Sequence, residues 1–263
     1  MVVENVGGGG GSLGVAAVAR AHPDGYTLVL GGTITHINEV LLKSRPQYDA
    51  VKDLDPVAGA AANVLCIAVH PSVPAQNLKE FVAYANANPG KLSYGHAGVG
   101  SIQHLAGELF KSLAGTPDIV QVPYRGTGPL ITDVLAGQVQ MGTPGVTGQV
   151  IELHRSGKMR VLANWGAERI ASFPELPTFR ELGYKDVEFY IWAGLFAQSA
   201  LPAPIMTRLR EAMAQAVKSP EVTKTFETAG SPVAYMDAPE FSKFVEVDSA
   251  RLVAAVKKIG KVE

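Results

Sequence analysis

Apolar residues recur along this chain with two periods. Ile102, Leu105, Ala106, Leu109, Phe110 and Leu113 fall at i, i+3, i+4, i+7, i+8 and i+11, one face of a 3.6-residue period, and predict a helix. The same spacing predicts helices through Val15, Val18 and Ala19; Leu78, Phe81, Val82 and Ala85; and Leu130, Ile131, Val134 and Leu135. Two more follow, through Ile205, Leu209, Ala212, Met213 and Ala216 behind Pro202 and Pro204, and from about Pro239 through Phe241, Phe244, Val245, Leu252, Val256 and Ile259. Between them, short apolar runs at 26–30, 64–69, 92–95, 119–122, 139–142 and 160–163 read as strands, and 189–196 is extended and aromatic-rich. Strands alternating with helices imply an α/β fold with parallel sheets. The segment 170–185, with Pro174, Pro177 and Gly183, reads as mostly irregular.

Several predicted helices are entered through loops of one kind. Ser101 sits at an N-cap position, and Gly95, Gly98 and Gly100 before it let the backbone approach whatever lies ahead of the helix. A helix start offers unpaired N–H groups and a partial positive charge, which suit a carboxylate or phosphate. The competing reading is a plain strand–helix unit whose serine only caps its own helix. A second loop, Pro123-Tyr124-Arg125-Gly126-Thr127-Gly128-Pro129, follows the next strand. Gly126 and Gly128 free its backbone, Thr127 can cap or donate, and Pro129 suits a first helical turn. Successive strand–loop–helix units of a parallel sheet bring such loops to one edge, where ligands bind. Thr143-Pro144-Gly145-Val146-Thr147 is a third loop in a comparable place, and Thr33, Thr35, His36 and Asn38 form a polar cluster past the 26–30 strand, before the apolar run Val40-Leu41-Leu42. For these the alternative is capping by Thr33 or Thr35, with His36 satisfied behind it.

Composition narrows the classes. The 263 residues are 47% hydrophobic and 18% charged, enough for a sizeable core in one large or two modest domains. Net charge is −1 with no basic block, which argues against nucleic acid as a partner. The longest near-apolar run, 57–69, is too short to span a bilayer. The single cysteine, Cys66, lies in an apolar strand pattern and reads as a core residue. The six histidines are scattered without metal-ligand spacing, so no metal is expected, and the leading reading below calls for no cofactor and no catalytic residue. The chain opens on Met1-Val2-Val3-Glu4-Asn5 without the features of a signal peptide, which reads as a cytoplasmic protein or as a mature or shortened form.

The strongest alternative function lies near the start. Gly9-Gly10-Gly11-Ser12-Leu13-Gly14, within the loop at 7–14, satisfies a dinucleotide fingerprint and would serve a nucleotide-dependent enzyme. A glycine run satisfies that pattern almost automatically, and Gly31-Gly32-Thr33 stands where a ribose-binding acid is wanted. A hydrolase using Ser101 is weaker still, since Gly98-Val99-Gly100-Ser101 is not a nucleophile elbow.

A set of runs along nearly the whole chain resembles the solute-binding receptors of tripartite tricarboxylate transporters, the Bug family. They are Val2-Val3-Glu4-Asn5 with its glycines, Pro23-Asp24-Gly25-Tyr26-Thr27-Leu28, Thr35-His36 with Asn38, and Tyr48-Asp49 on to Pro56-Val57. The runs at 98–105, Val122-Pro123-Tyr124-Arg125-Gly126, 135–139, Phe173-Pro174-Glu175-Leu176-Pro177-Thr178, and Trp192 with Gly194-Leu195-Phe196-Ala197 complete the set. The resemblance implies a two-lobed, periplasmic-binding-protein-like (type II) fold with a ligand cleft between lobes. Residues 1–66 and 191–263 would form one lobe and 67–190 the other. It implies a monomeric periplasmic receptor, not an enzyme, that captures a small organic acid for membrane transporter subunits. Thr33, Gly98, Gly100, Ser101, Tyr124, Gly126 and Thr127 stand at the loops that would bind it. Two departures from the family pattern are expected to matter. Members usually begin about 35 to 40 residues earlier, with a strand and a Pro/Gly-rich loop, so a loosened first lobe and weaker carboxylate binding are expected here. The family also usually carries Asp where Gln140 stands, a difference expected to bear on ligand choice or lobe closure.

Overall fold

A computed structural model describes residues 1–6, 11–33, 47–185, 188–228 and 233–259. Thr35, His36, Asn38, the 40–42 run and most of the glycine run at 7–11 lie outside the described residues. The chain divides into two compact units, 1–62 with 192–263, and 63–191. Two strands, β2 (Leu54–Val64) and β8 (Tyr190–Gln198), carry the chain from one to the other.

The first unit holds a four-stranded sheet in the order β1-β8-β2-β9, with β1 Val29–Gly32 and β9 Val233–Met236. β1 runs antiparallel to β8, in a register pairing Val29 with Phe196 and Gly32 with Ala193. Helix α8 (Ala238–Ile259) lays the buried ring of Phe241 against this sheet. The sequence permits that approach through two glycines. A Cβ at Gly194 would collide with the Phe241 ring, and one at Gly59 would lie 2.8 Å from its Cδ2. Trp192 meets the same ring edge-on at 5.4 Å between centroids, and its Nε1 donates to the fully buried Asp248 carboxylate at 2.8 Å. Arg251 donates to the other carboxylate oxygen at 2.6 Å, so this buried charge is both paired and hydrogen-bonded.

The second unit is built on five strands in the order β5-β4-β6-β3-β7: β3 Cys66–Val69, β4 Ser93–His96, β5 Val120–Pro123, β6 Met141–Gly142 and β7 Arg160–Asn164. β4 is parallel to both β5 and β6, while β3 is antiparallel to β6 and β7. The expectation of parallel sheets is therefore corrected. Four strands of the second sheet share a direction, β3 opposes them, and the first unit's named pairs are antiparallel. The reason is connectivity: β3 continues from β2 of the other unit rather than from a helix of its own sheet, so it is not bound to the crossover geometry that makes neighbouring strands parallel.

Helices α2 (Leu78–Ala87), α3 (Ile102–Ala114), α4 (Thr127–Leu135) and α5 (Gly148–Arg155) intervene between those strands. α3 buries Ile102, Leu105, Ala106, Leu109 and Phe110 of the predicted face, while Leu113 in its last turn is exposed. Gly107 lets it sit close to the sheet, since a Cβ there would meet the Tyr94 ring of β4. Phe110 stacks on Phe81 of α2 at 6.0 Å, and Phe179 stacks on Trp165 at 3.8 Å. Cys66 is fully buried, its thiol donating to the Pro144 carbonyl at 3.4 Å, and burial pushes that thiol's pKa up. α1 (Ser12–Ala19), α6 (Ala203–Ala216) and α7 (Pro220–Thr228) belong to the first unit, α6 starting behind Pro202 as the sequence predicts.

Candidate ligand-binding site

The parallel strands β4, β5 and β6 end at His96, Pro123 and Gly142, so the loops that follow them share one sheet edge. The chain leaves β4 for β5 on one side of it and returns to β6 on the other. Such a reversal opens a crevice outside the strand ends, the usual ligand position of an open α/β sheet. Six of the seven predicted site residues, Gly98, Gly100, Ser101, Tyr124, Gly126 and Thr127, stand on the first two of these loops. Thr33 belongs to the first unit. It lies buried just past β1, with its Oγ1 accepting from the Trp192 backbone N–H at 3.2 Å.

The three loops use their polar groups differently. Gly98 and Gly100 take φ of 126° and 76°, which L side chains rarely adopt, and turn the chain into the Ser101 cap. The buried Ser101 hydroxyl accepts from the His104 backbone N–H at 3.2 Å. In the third loop Thr147 caps α5 by accepting from Val150 N–H at 3.3 Å, and the backbone is tied down by Cys66 N–H to Pro144 O and Val146 N–H to Val64 O. The second loop is unlike both. α4 begins behind Gly126 at φ 114°, with no side-chain cap. A Cβ at Gly126 or at Gly128 would meet nothing within 4 Å. The space beside both glycines is open, and the first-turn N–H groups of Thr127 and Gly128 receive no side-chain cap. These are the donors an anion needs.

Tyr124 closes the other side of this loop. Its hydroxyl donates to Asp133 at 2.8 Å, and burial together with that carboxylate pushes its pKa up to about 12. Its ring lies over Gly95, where a Cβ would come within 2.9 Å of it. The tyrosine proton is therefore spent inside the fold, and what Tyr124 can supply is ring surface and backbone.

Residues absent from the sequence expectation hold the loops together. Gln103, buried on the second residue of α3, donates from Nε2 to Thr127 Oγ1 at 3.1 Å, and its carbonyl accepts from the buried Thr143 hydroxyl at 2.9 Å. His104 accepts at Nδ1 from the Gly100 N–H at 3.1 Å, and His96 stacks on it with ring centroids 4.3 Å apart. His96 Nε2 lies 2.8 Å from Gln121 Oε1 and its Nδ1 2.9 Å from Gly98 O. Burial lowers both imidazole pKa values, that of His104 to about 4 with repulsion from His96 added, so the His104 ring is neutral. For His104 the spacing from Ser101 was a usable signal, since it falls in the first helical turn.

Gln140 lies at the opposite edge of the sheet. Its Oε1 accepts from Ser93 N–H at 3.0 Å and Ser93 Oγ at 3.1 Å, where β4 begins, and its Nε2 reaches Gly137 O. Its amide braces the start of two strands, at the sheet edge opposite the glycine loops, and that is the position from which the expected bearing on ligand choice or lobe closure would act. Among the described residues no group of three or more His, Cys, Asp or Glu side chains could hold a metal ion, and no helix is long and apolar enough to cross a membrane.

Residues 1–261 match the family model of the tripartite tricarboxylate transporter family receptor. Protein BugT of Bordetella pertussis is 30% identical over 99% of this chain and 79% of its own length. Among solved structures, the periplasmic binding protein BugD superposes with a TM-score of 0.86 at 30% identity, over 100% of this chain and 87% of that one. R. palustris Rpa4515 with adipate gives 0.86 at 29% identity, over 98% and 86% of the two chains. MatC of Rhodopseudomonas palustris with bound malate gives 0.82 at 29%, over 95% and 85%. These matches carry the mixed α/β, two-lobed periplasmic-binding-protein fold and the solute-receptor class together. The chain belongs to the tripartite tricarboxylate transporter receptor family, whose members are periplasmic solute-binding proteins.

Proposed function

We propose that this chain is a periplasmic receptor that captures a small organic carboxylate and delivers it to the membrane subunits of a tripartite transporter. The observation that carries the reading is the start of α4, where Gly126 replaces a side-chain cap and the space beside Gly126 and Gly128 is open, next to the Thr127 hydroxyl. A carboxylate placed there would take the bonds that Ser101 and Thr147 supply to their own helices. The two relatives solved with ligands hold adipate and malate, both dicarboxylates, which supports the same ligand class here. On this reading Gly98, Gly100 and Ser101 border the carboxylate seat, Gly126 and Thr127 form it, and Tyr124 walls it. Thr33 is the candidate ligand hydroxyl of the first unit.

Thermal-shift screening tests the reading against a nucleotide-dependent enzyme. A ligand that binds only the folded chain adds ~2.7 kcal/mol of stability at about 100 times its Kd. Malate, adipate or a related di- or tricarboxylate should raise Tm and be recovered unchanged. A Tm raised by nucleotides and by no carboxylate would overturn the reading.

A further inference from the structure

We infer that Gln103 is a positioning residue for carboxylate capture, holding the Thr127 hydroxyl so that its hydrogen is free for the ligand. The inference rests on the carboxylate reading of the α4 loop and adds to it the residue that prepares the loop. Gln103 is 4% exposed, and its Nε2 donates to Thr127 Oγ1 at 3.1 Å. A hydroxyl oxygen that receives this bond keeps its own O–H for another acceptor. Among the described residues the half-buried Thr127 hydroxyl makes no other hydrogen bond, so its O–H remains available to a carboxylate oxygen. The second observation is the other end of the amide. Gln103 Oε1 is buried without a hydrogen-bond partner. An unpaired buried acceptor is costly, and a side chain kept for packing alone would not need it. The arrangement makes sense if the amide is fixed by what its nitrogen does. Its backbone is held as well, because the Thr143 hydroxyl donates to the Gln103 carbonyl at 2.9 Å. One residue thereby ties the α3 start, the α4 start and the β6 loop into a single preset frame.

The test is calorimetry on the full chain with malate and adipate, using Gln103→Met, Thr127→Ala, the double variant and Gln103→Glu, each checked for folding by circular dichroism and Tm. Gln103→Met keeps volume and removes the donor, and should weaken binding by about tenfold, the scale of one charge-assisted hydrogen bond. The same change in the Thr127→Ala background should cost less than about twofold, because its route to the ligand is gone. Gln103→Glu should weaken binding further, and more at pH 8 than at pH 5, as the new carboxylate ionises beside the anion. Unchanged binding in Gln103→Met, or an equal loss with and without Thr127, would overturn the inference and leave the carboxylate reading standing. A native chain that binds neither these nor other di- and tricarboxylates would overturn both.

Discussion

The imidazoles of His96 and His104 stack 4.3 Å apart under the Gly98–Ser101 loop, and the Gly100 N–H donates to His104 Nδ1. Glu108 and Lys111 are the charged groups acting on His104, with opposite effects, and burial outweighs both. His104, neutral and hydrogen-bonded to the loop above it, makes this floor sensitive to acid.

The sign follows from linkage. Burial lowers the pKa of His104 in the folded chain to about 4, from the ordinary histidine value of about 6.5. Above about pH 6.5 the ring is neutral folded or unfolded and its full stabilisation is present. As pH falls from 6.5 towards 4, the unfolded chain takes up the proton first and stability is lost, by about 3 kcal/mol at most. Urea unfolding at pH 7.5 and pH 4.5, native against His104→Gln, should show a smaller acid loss in the variant. Equal losses would remove His104 from the account.

Capping gives a second expectation. Ser101→Ala deletes the bond to the His104 N–H and should lower stability by about 1 kcal/mol. Because the Ser101 oxygen is committed to its own helix, the effect on carboxylate affinity should be smaller than that of Thr127→Ala. Paired Tm and calorimetric measurements on the two variants check the ranking.

Gln140→Asp tests the division between the two sheet edges. Aspartate can still accept from Ser93 but gives up the bond to Gly137 O. Carboxylate affinity should stay within about twofold of native, since the site loops follow the opposite strand ends. A large change in affinity would mean that the brace at the strand starts reaches the site.

How much of this was legible in sequence depends on whether the signal is local. The α3 face could be read because six apolar residues repeat at helical spacing, and Ser101 because a cap acts over three residues. α5 could not, because it buries only Val150 and Ile151. β3 looked like any buried strand, and its reversed direction is set by a connection rather than by its residues. Gln103 was hidden because its two partners, Thr127 and Thr143, lie 24 and 40 positions away. Burial of a polar side chain depends on such distant partners, whereas glycine placement at 126 and 128 speaks for itself.

The central claim is that the open start of α4 receives the ligand's carboxylate. An amide-resolved NMR titration of the full chain with malate and adipate tests it most directly. The account predicts that the Thr127 and Gly128 N–H resonances move downfield on saturation, more than those of Val150 in the capped α5 start. Gly126→Val, strained at φ 114° and crowding those groups, should abolish the shifts while circular dichroism stays native. Tight binding of a dicarboxylate with the Thr127 and Gly128 amides unmoved would contradict the claim.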